Sequence, residues 1–227
     1  MKTLAIIPAR GGSKRIPRKN VKTFMGRPII AYSICAALDS GLFDEVMVST
    51  DDKEIAAISS GLGAEVPFMR SAAASGDGAT TRDVMLEVLG DYSRSGKEFD
   101  RLCCIYPCAP LLTSEILQAS CRRFVETDAD MLMPVVRYSF PVQRALKIGA
   151  DGLLEYREPS EANRRSQDLE PTFHDAGIFY WTKVRSYLAG EVWRRAFYEF
   201  PEIRVQDIDS EEDWRLAEVK YRVLNDV

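Results

Sequence analysis

Short apolar runs alternate with amphipathic stretches along much of this 227-residue chain, and the two periods separate expected strands from expected helices. Leu4 to Pro8 reads as a first strand. Pro28 to Ser40 reads as a helix carrying Ile29, Ile30, Ile34, Ala37 and Leu38, with proline suited to its first turn. Glu45 to Ser49 is a second strand ending in Thr50-Asp51-Asp52, Lys53 to Gly61 a helix, and Ala64-Glu65-Val66 a short strand. Thr81 to Ser95 follows as a helix built on Val84, Met85, Val88 and Leu89. Arg101 to Tyr106 is then a strand, Ser114 to Glu126 a helix and Met131 to Val136 a strand. This alternation predicts an α/β fold, a mostly parallel sheet covered by helices. Beyond Val136 the pattern breaks: Tyr138 to Glu170 mixes short apolar pieces with proline, glycine and a polar stretch from Glu158 to Asp168. His174 to Trp181 returns as an apolar strand, and Ser210 to Leu224 closes as a helix whose Glu211, Glu212 and Asp213 suit a positive N-terminal turn. With neither internal repeat nor linker, residues 1–227 read as one domain with an excursion over 138–175.

Composition narrows the function classes. A hydrophobic content of 46% supports a packed core, and a net charge of −4 argues against a general nucleic-acid binder. No apolar run reaches the length of a membrane span. Leu4-Ala5-Ile6-Ile7 is cut short by Pro8 rather than extended into a signal peptide, so no membrane partner and a cytoplasmic location are expected. Cys35, Cys103, Cys104, Cys108 and Cys121 lie mostly in apolar contexts and read as reduced cysteines. With His174 the sole histidine, zinc chemistry is not expected.

Charge is concentrated where the first strand ends. Ala5-Ile6-Ile7-Pro8-Ala9-Arg10-Gly11-Gly12-Ser13-Lys14-Arg15-Ile16-Pro17-Arg18-Lys19-Asn20 carries two glycines and five cations on one short loop. Glycines let consecutive N–H groups turn toward one anion, and strand ends are where open α/β sheets bind ligands. Neither the Walker spacing nor the three-glycine dinucleotide fingerprint is present. The loop therefore reads as a different phosphate cradle, against the plainer alternative of a solvated connection. Asp207-Ile208-Asp209 sets two carboxylates on one side of an extended segment, a pattern that suits magnesium; an ordinary helix start with Ser210 as its cap is the alternative. Arg70, with Thr80-Thr81-Arg82, reads by its residues alone as a surface loop with a helix cap at Thr80 or Thr81.

The run Ile7-Pro8-Ala9-Arg10-Gly11-Gly12-Ser13-Lys14, with Pro17 and Lys19-Asn20, resembles the signature of the CMP-sugar synthetases, cytidylyltransferases that activate nine-carbon nonulosonic acids. Further motifs follow in that family's order through nearly the whole chain. The resemblance implies a Rossmann-like sheet of the nucleotide-diphospho-sugar transferase type, with the excursion serving as a dimerisation and sugar-binding element of a homodimer. It assigns the nucleotide to Ala9, Arg10, Gly11, Ser13, Lys14, Lys19 and Asn20, and the cytosine and ribose to Arg70 and Thr81. It gives catalysis to Arg10, Lys19 and Asp209, and Mg2+ to Asp207 and Asp209. Tyr106-Pro107-Cys108-Ala109-Pro110-Leu111 departs from the Gln-Pro-Thr-Ser-Pro-Leu type of segment of sialic-acid synthetases at Tyr106 and Cys108. The stretches Tyr138 to Leu146, Arg165 to Pro171, His174 to Gly177 and Phe179 to Trp181 resemble the pseudaminic acid branch. On that resemblance Tyr106, Gln143, Arg144 and Arg165 would face the sugar, either arginine forking the carboxylate beside its anomeric hydroxyl. The implied reaction transfers CMP from CTP to pseudaminic acid and releases pyrophosphate. N-acetylneuraminic or legionaminic acid is the alternative sugar, a non-catalytic nucleotide-binding protein the distant alternative, and flagellin or surface-glycan modification the implied destination.

Overall fold

In the computed structural model, which describes residues 1–190 and 194–226, the first apolar run lies inside the central sheet. Strand β1 (Thr3–Pro8) sends Ala5 and Ile7 to one face and Leu4 and Ile6 to the other, and all four are fully buried. It pairs in parallel with β4 (Glu45–Ser49) and β5 (Arg101–Ile105). The sheet continues through β10 (Phe179–Lys183), β6 (Met131–Arg137) and β11 (Arg195–Phe200), in the order β11-β6-β10-β5-β1-β4, with β9 (Phe173–Asp175) added to β6. Strand β10 runs antiparallel to both its neighbours, whereas β11 is parallel to β6, so the mostly parallel sheet has a reversal inside it.

Helices cover both faces. On one side α1 (Ile30–Ser40), α2 (Lys53–Gly61) and α5 (Ser114–Thr127) bring Ile34, Ile55, Leu117 and Phe124 onto Ile7, Val48, Cys103 and Trp181. Buried Trp181 donates its indole N–H to Ser120 Oγ at 2.9 Å, closing a polar atom that the core would otherwise strand. On the other side α4 (Thr81–Arg94) and α6 (Val184–Ala189) pack Val84, Met85, Val88, Leu89 and Tyr187 against Leu4, Ile6 and Leu102. The five cysteines are free thiols; burial pushes that of Cys104 up to about 12, as expected of inert packing groups. Among the described residues no helix is long and apolar enough to cross a membrane.

Several boundaries differ from the sequence pattern. Pro28 does not open α1; it lies in β3 (Arg27–Pro28), which makes a tight hairpin with β2 (Thr23–Phe24) through Met25 and Gly26, both at positive φ. Residues 64–66 make only an isolated bridge through Glu65 to Met47. The expected strand from His174 to Trp181 is two strands, because Gly177 takes a left-handed turn (φ 63°) and separates β9 from β10. The pattern did not announce α3 (Ala72–Ser75), α6 or β11, all short or only partly apolar. The excursion leaves the sheet after β6 and holds one small hairpin, β7 (Leu146–Ile148) with β8 (Leu154–Tyr156). Helix α7 (Glu211–Asn225) ends the described chain, and its N-cap, Ser210, forms a capping box with Asp213.

Candidate active site

The cationic loop leaves the carboxyl end of β1, and Asp51-Asp52 and Tyr106 follow the carboxyl ends of the two strands parallel to it. Ala9 N–H continues the ladder to Ser49 O at 2.9 Å, and Gly11 N–H donates to Asp51 Oδ1 at 2.9 Å. A Cβ on Gly11 would sit 2.7 Å from Asp52 Oδ2 and 3.0 Å from its Cβ, so a side chain there would have to displace the Asp52 carboxylate. Asp52 caps α2, accepting from the N–H groups of Glu54 and Ile55. It also binds Arg18 at 2.5 Å, and Arg18 reaches on to Glu54. Arg18 and the cap amides together pull the Asp52 carboxyl down to about 2. The loop is braced within as well: Asn20 is buried, donates to Arg10 O at 2.9 Å and accepts from the Cys108 thiol at 3.2 Å, while Ser13 N–H meets Gly11 O at 3.1 Å.

A separate apolar cluster brings the acid pair to this loop. Ile16 of the loop and Ile208 between the two acids are both buried with Phe24, Ile29, Tyr32 and Trp214. Burying Ile208 turns Asp207 and Asp209 outward, and Lys19 ties the two segments by donating to Ile208 O at 2.6 Å and approaching Asp209 Oδ1 at 3.6 Å. Arg15 binds the same Asp209 oxygen at 2.8 Å. Ser210 is indeed a helix cap, so the cap and the paired carboxylates coexist. Among the described residues no hydrogen bond or ion pair reaches the Asp207 side chain. Its carboxyl is pushed up by burial and by Asp209, with Lys19 partly offsetting both. Asp209 is faced by Arg15 and Lys19, while among the described residues Asp207 has no cation in contact and no group of three or more acidic, thiol or imidazole side chains is arranged to hold a metal. A pair of carboxylates fits a cation that takes few protein ligands and completes its shell with phosphates and water.

The five loop cations do not lie bare. Arg10 Nη1 and Lys14 Nζ bind Asp77 at 3.3 and 2.5 Å, Arg15 and Lys19 face Asp209, and Arg18 faces Asp52 and Glu54. Mutual repulsion among them is therefore relieved by carboxylates from three other segments. Arg18, committed to the α2 cap, braces the loop.

Arg70 is buried, donates through Nε to Ser49 Oγ at 3.0 Å and through Nη2 to Ser49 O, and keeps guanidinium donors to spare. Thr81 opens α4 with its hydroxyl 3.4 Å from Tyr106 OH. The Tyr106 ring meets Tyr180 edge to face at 5.8 Å, and Tyr180 OH donates to Asp175 at 2.8 Å. Asp77, Asp175 and Tyr180 carried no role from the sequence: Asp77 stands between two glycines, and Asp175 and Tyr180 lie in stretches that resembled the pseudaminic acid branch without being assigned to the site. Folding brings the first to the loop and the other two to Tyr106. The excursion residues stand apart. Gln143 donates to Glu170 O at 2.9 Å with Oε1 enclosed and unpartnered, Arg144 meets Ser166 Oγ at 3.3 Å, and Arg165 precedes a single 3-10 turn. No hydrogen bond or ion pair among the described residues joins these three to the loop or the acid pair.

A glycine-bearing cation loop at the carboxyl ends of parallel strands, facing two carboxylates across an apolar clamp, defines an α/β nucleotidyltransferase. The family model described as Cytidylyltransferase matches residues 4–189, and the chain belongs to the cytidylyltransferase family. It is 37% identical over 226 residues to a pseudaminic acid cytidylyltransferase of Campylobacter jejuni subsp. jejuni, covering 98% of this chain and 97% of that one. It is 36% identical to N-acylneuraminate cytidylyltransferase A of Danio rerio, over 97% of this chain and 50% of that protein. Among solved structures, CMP:2-keto-3-deoxy-manno-octonic acid synthetase complexed with CTP shares the fold over the full length of both chains, at a TM-score of 0.69 and 17% identity.

Proposed function

We propose that this chain transfers CMP from CTP to the anomeric hydroxyl of pseudaminic acid. The observation that carries this reading is the 37% identity to a pseudaminic acid cytidylyltransferase over nearly the full length of both proteins. The site supplies the chemistry. The anomeric hydroxyl oxygen attacks the α-phosphorus and gives up its proton to solvent, a new P–O bond forms, the bond to the bridging oxygen breaks, and pyrophosphate leaves. Arg10, Lys14 and Lys19 meet the charge that develops on the phosphate oxygens, and Gly11 to Ser13 lie against them as backbone. Asp207 and Asp209 would hold Mg2+, which supplies charge neutralisation at the phosphates when bound. Arg70, fixed by Ser49, and Thr81 would receive the nucleoside. The Tyr106–Tyr180 pair forms an aromatic corner beside them that suits a sugar with apolar substituents.

The chain acts in this reading as a cytoplasmic homodimer. The excursion exposes Phe140, Ile148, Leu153 and Leu154, at 85, 75, 68 and 68% of their surface, and an apolar face of this kind fits burial against a second copy. Gln143, Arg144 and Arg165 sit on that excursion, where a partner subunit could complete the sugar site. The second reading, an N-acylneuraminate as the sugar, is favoured by the 36% identity to the Danio rerio enzyme. The deciding assay is pyrophosphate release from CTP and Mg2+ with pseudaminic acid, N-acetylneuraminic acid or no sugar, with Asp209→Ala as control. Release with pseudaminic acid alone, lost in the variant, is expected. Better turnover of N-acetylneuraminic acid moves the substrate to the second reading, and no release with either sugar refutes both.

A further inference from the structure

Asp77 stands at the tip of a turn between two capped helices. Ser71 caps α3 and is itself held by Glu87, and Thr80 caps α4 in a capping box with Asp83. Between those anchors Ala79 N–H closes on Gly76 O at 3.1 Å, and Gly76 and Gly78 flank the acid. A Cβ at Gly78 would meet nothing within 4 Å, and at Gly76 only a backbone oxygen at 4.0 Å, so the tip stands in open space. The Asp77 side chain is 61% exposed, and its only described partners are Arg10 and Lys14. Its carboxylate is thus the one group of this exposed turn that reaches into the cationic loop, and it occupies two cations that a polyphosphate needs.

We propose that Asp77 is a built-in anionic competitor for the phosphate loop: it holds Arg10 and Lys14 in the free protein, yields them to an incoming polyphosphate and takes them back when pyrophosphate departs. The proposal rests on reading the loop as the triphosphate cradle. Physically, the ligand exchanges one set of charge-assisted contacts for another, and the turn can swing aside without unpacking either helix. Because the competing contact belongs to the free protein, it weakens every ligand that needs both cations by the same factor. CTP and pyrophosphate would therefore respond alike, whereas a contact made only to the nucleoside would alter CTP alone. Two exposed ion pairs of ordinary strength set that factor at about 3- to 10-fold.

The test is titration calorimetry of CTP and of inorganic pyrophosphate, each with Mg2+ and without sugar, on the wild type, Asp77→Asn, Lys14→Met and the double variant. Asp77→Asn is expected to tighten both ligands by a common factor of about 3 to 10. That gain should shrink when Lys14 is already methionine, because half of the contact is gone. Unchanged or weaker binding in Asp77→Asn overturns the proposal. So does a gain that persists undiminished in the Lys14→Met background, since deleting a distant charge would act that way. The parent reading fails separately: in the Asp77→Asn background, where no competitor offsets the loss, Lys14→Met leaving both affinities unchanged would refute the cradle itself.

Discussion

Lys19 does two jobs with one ammonium: it holds the Ile208 carbonyl, fixing where the acid pair sits, and it lies 3.6 Å from Asp209 in the space where phosphate charge would gather. Lys19→Ala is expected to lower kcat/KM by about 100-fold with only a small change in melting temperature; a fall in stability that matches the fall in rate would leave Lys19 a purely structural tie. Asp52 is the opposite kind of residue, an acid whose work is done inside the scaffold. Its carboxyl lies at about 2 in the folded protein against an ordinary 3.8, so its charge contributes stability that is present above the ordinary value and is lost as pH falls toward the lower one. Asp52→Asn keeps the helix-cap acceptor and removes only the charge. The wild type should therefore be the more stable near about pH 6, with the difference closing between about pH 4 and pH 2 in denaturant titrations.

At the scale of elements, the phosphate loop is held by contacts that its own residues do not reveal. Gly11 and Gly12 look equivalent in the sequence, yet a Cβ on Gly11 would strike Asp52 at the start of α2 whereas one on Gly12 would meet nothing within 4 Å. Gly11→Ala is accordingly expected to cost about 1–3 kcal/mol by pushing Asp52 off its cap and Arg18 off Asp52, and to weaken CTP binding in the same preparation. Gly12→Ala should stay close to wild type in denaturant unfolding; equal losses of stability at the two positions would show that the clash is not what constrains the loop. The Asp-x-Asp segment shows the same dependence on a neighbour. Alternation put both acids on one side, but the burial of Ile208 against Ile16 and Trp214 decided that this side faces the loop.

For the whole molecule, the exposed hairpin of the excursion is the feature that a single chain leaves unexplained. On the proposed homodimer, replacing Ile148 and Leu154, 75 and 68% exposed, with aspartate should give a folded monomer in sedimentation equilibrium where the wild type is dimeric, with sugar turnover falling more than CTP binding. A variant that remains dimeric would remove the excursion from the interface. The helices from Lys53 and Thr81, the strands at Glu45 and Arg101, and the cap at Ser210 were legible because their periodicity and end signals are local properties of the chain. The cation loop and the acid pair were visible as residue patterns, but by themselves they read also as a solvated connection and an ordinary helix start, and it was the family resemblance that gave them roles. The reversal at β10, the break at Gly177 and the edge strand β11 were not, because strand direction and pairing are settled by partners far away in sequence. By itself, then, the sequence determined the alternating α/β pattern, the cation loop and the paired carboxylates. Only the tertiary structure decided that Ile16 and Ile208 share one apolar clamp, that Arg18 serves the α2 cap, and that Asp77 faces Arg10 and Lys14, because each is a contact between segments whose local patterns are silent about one another.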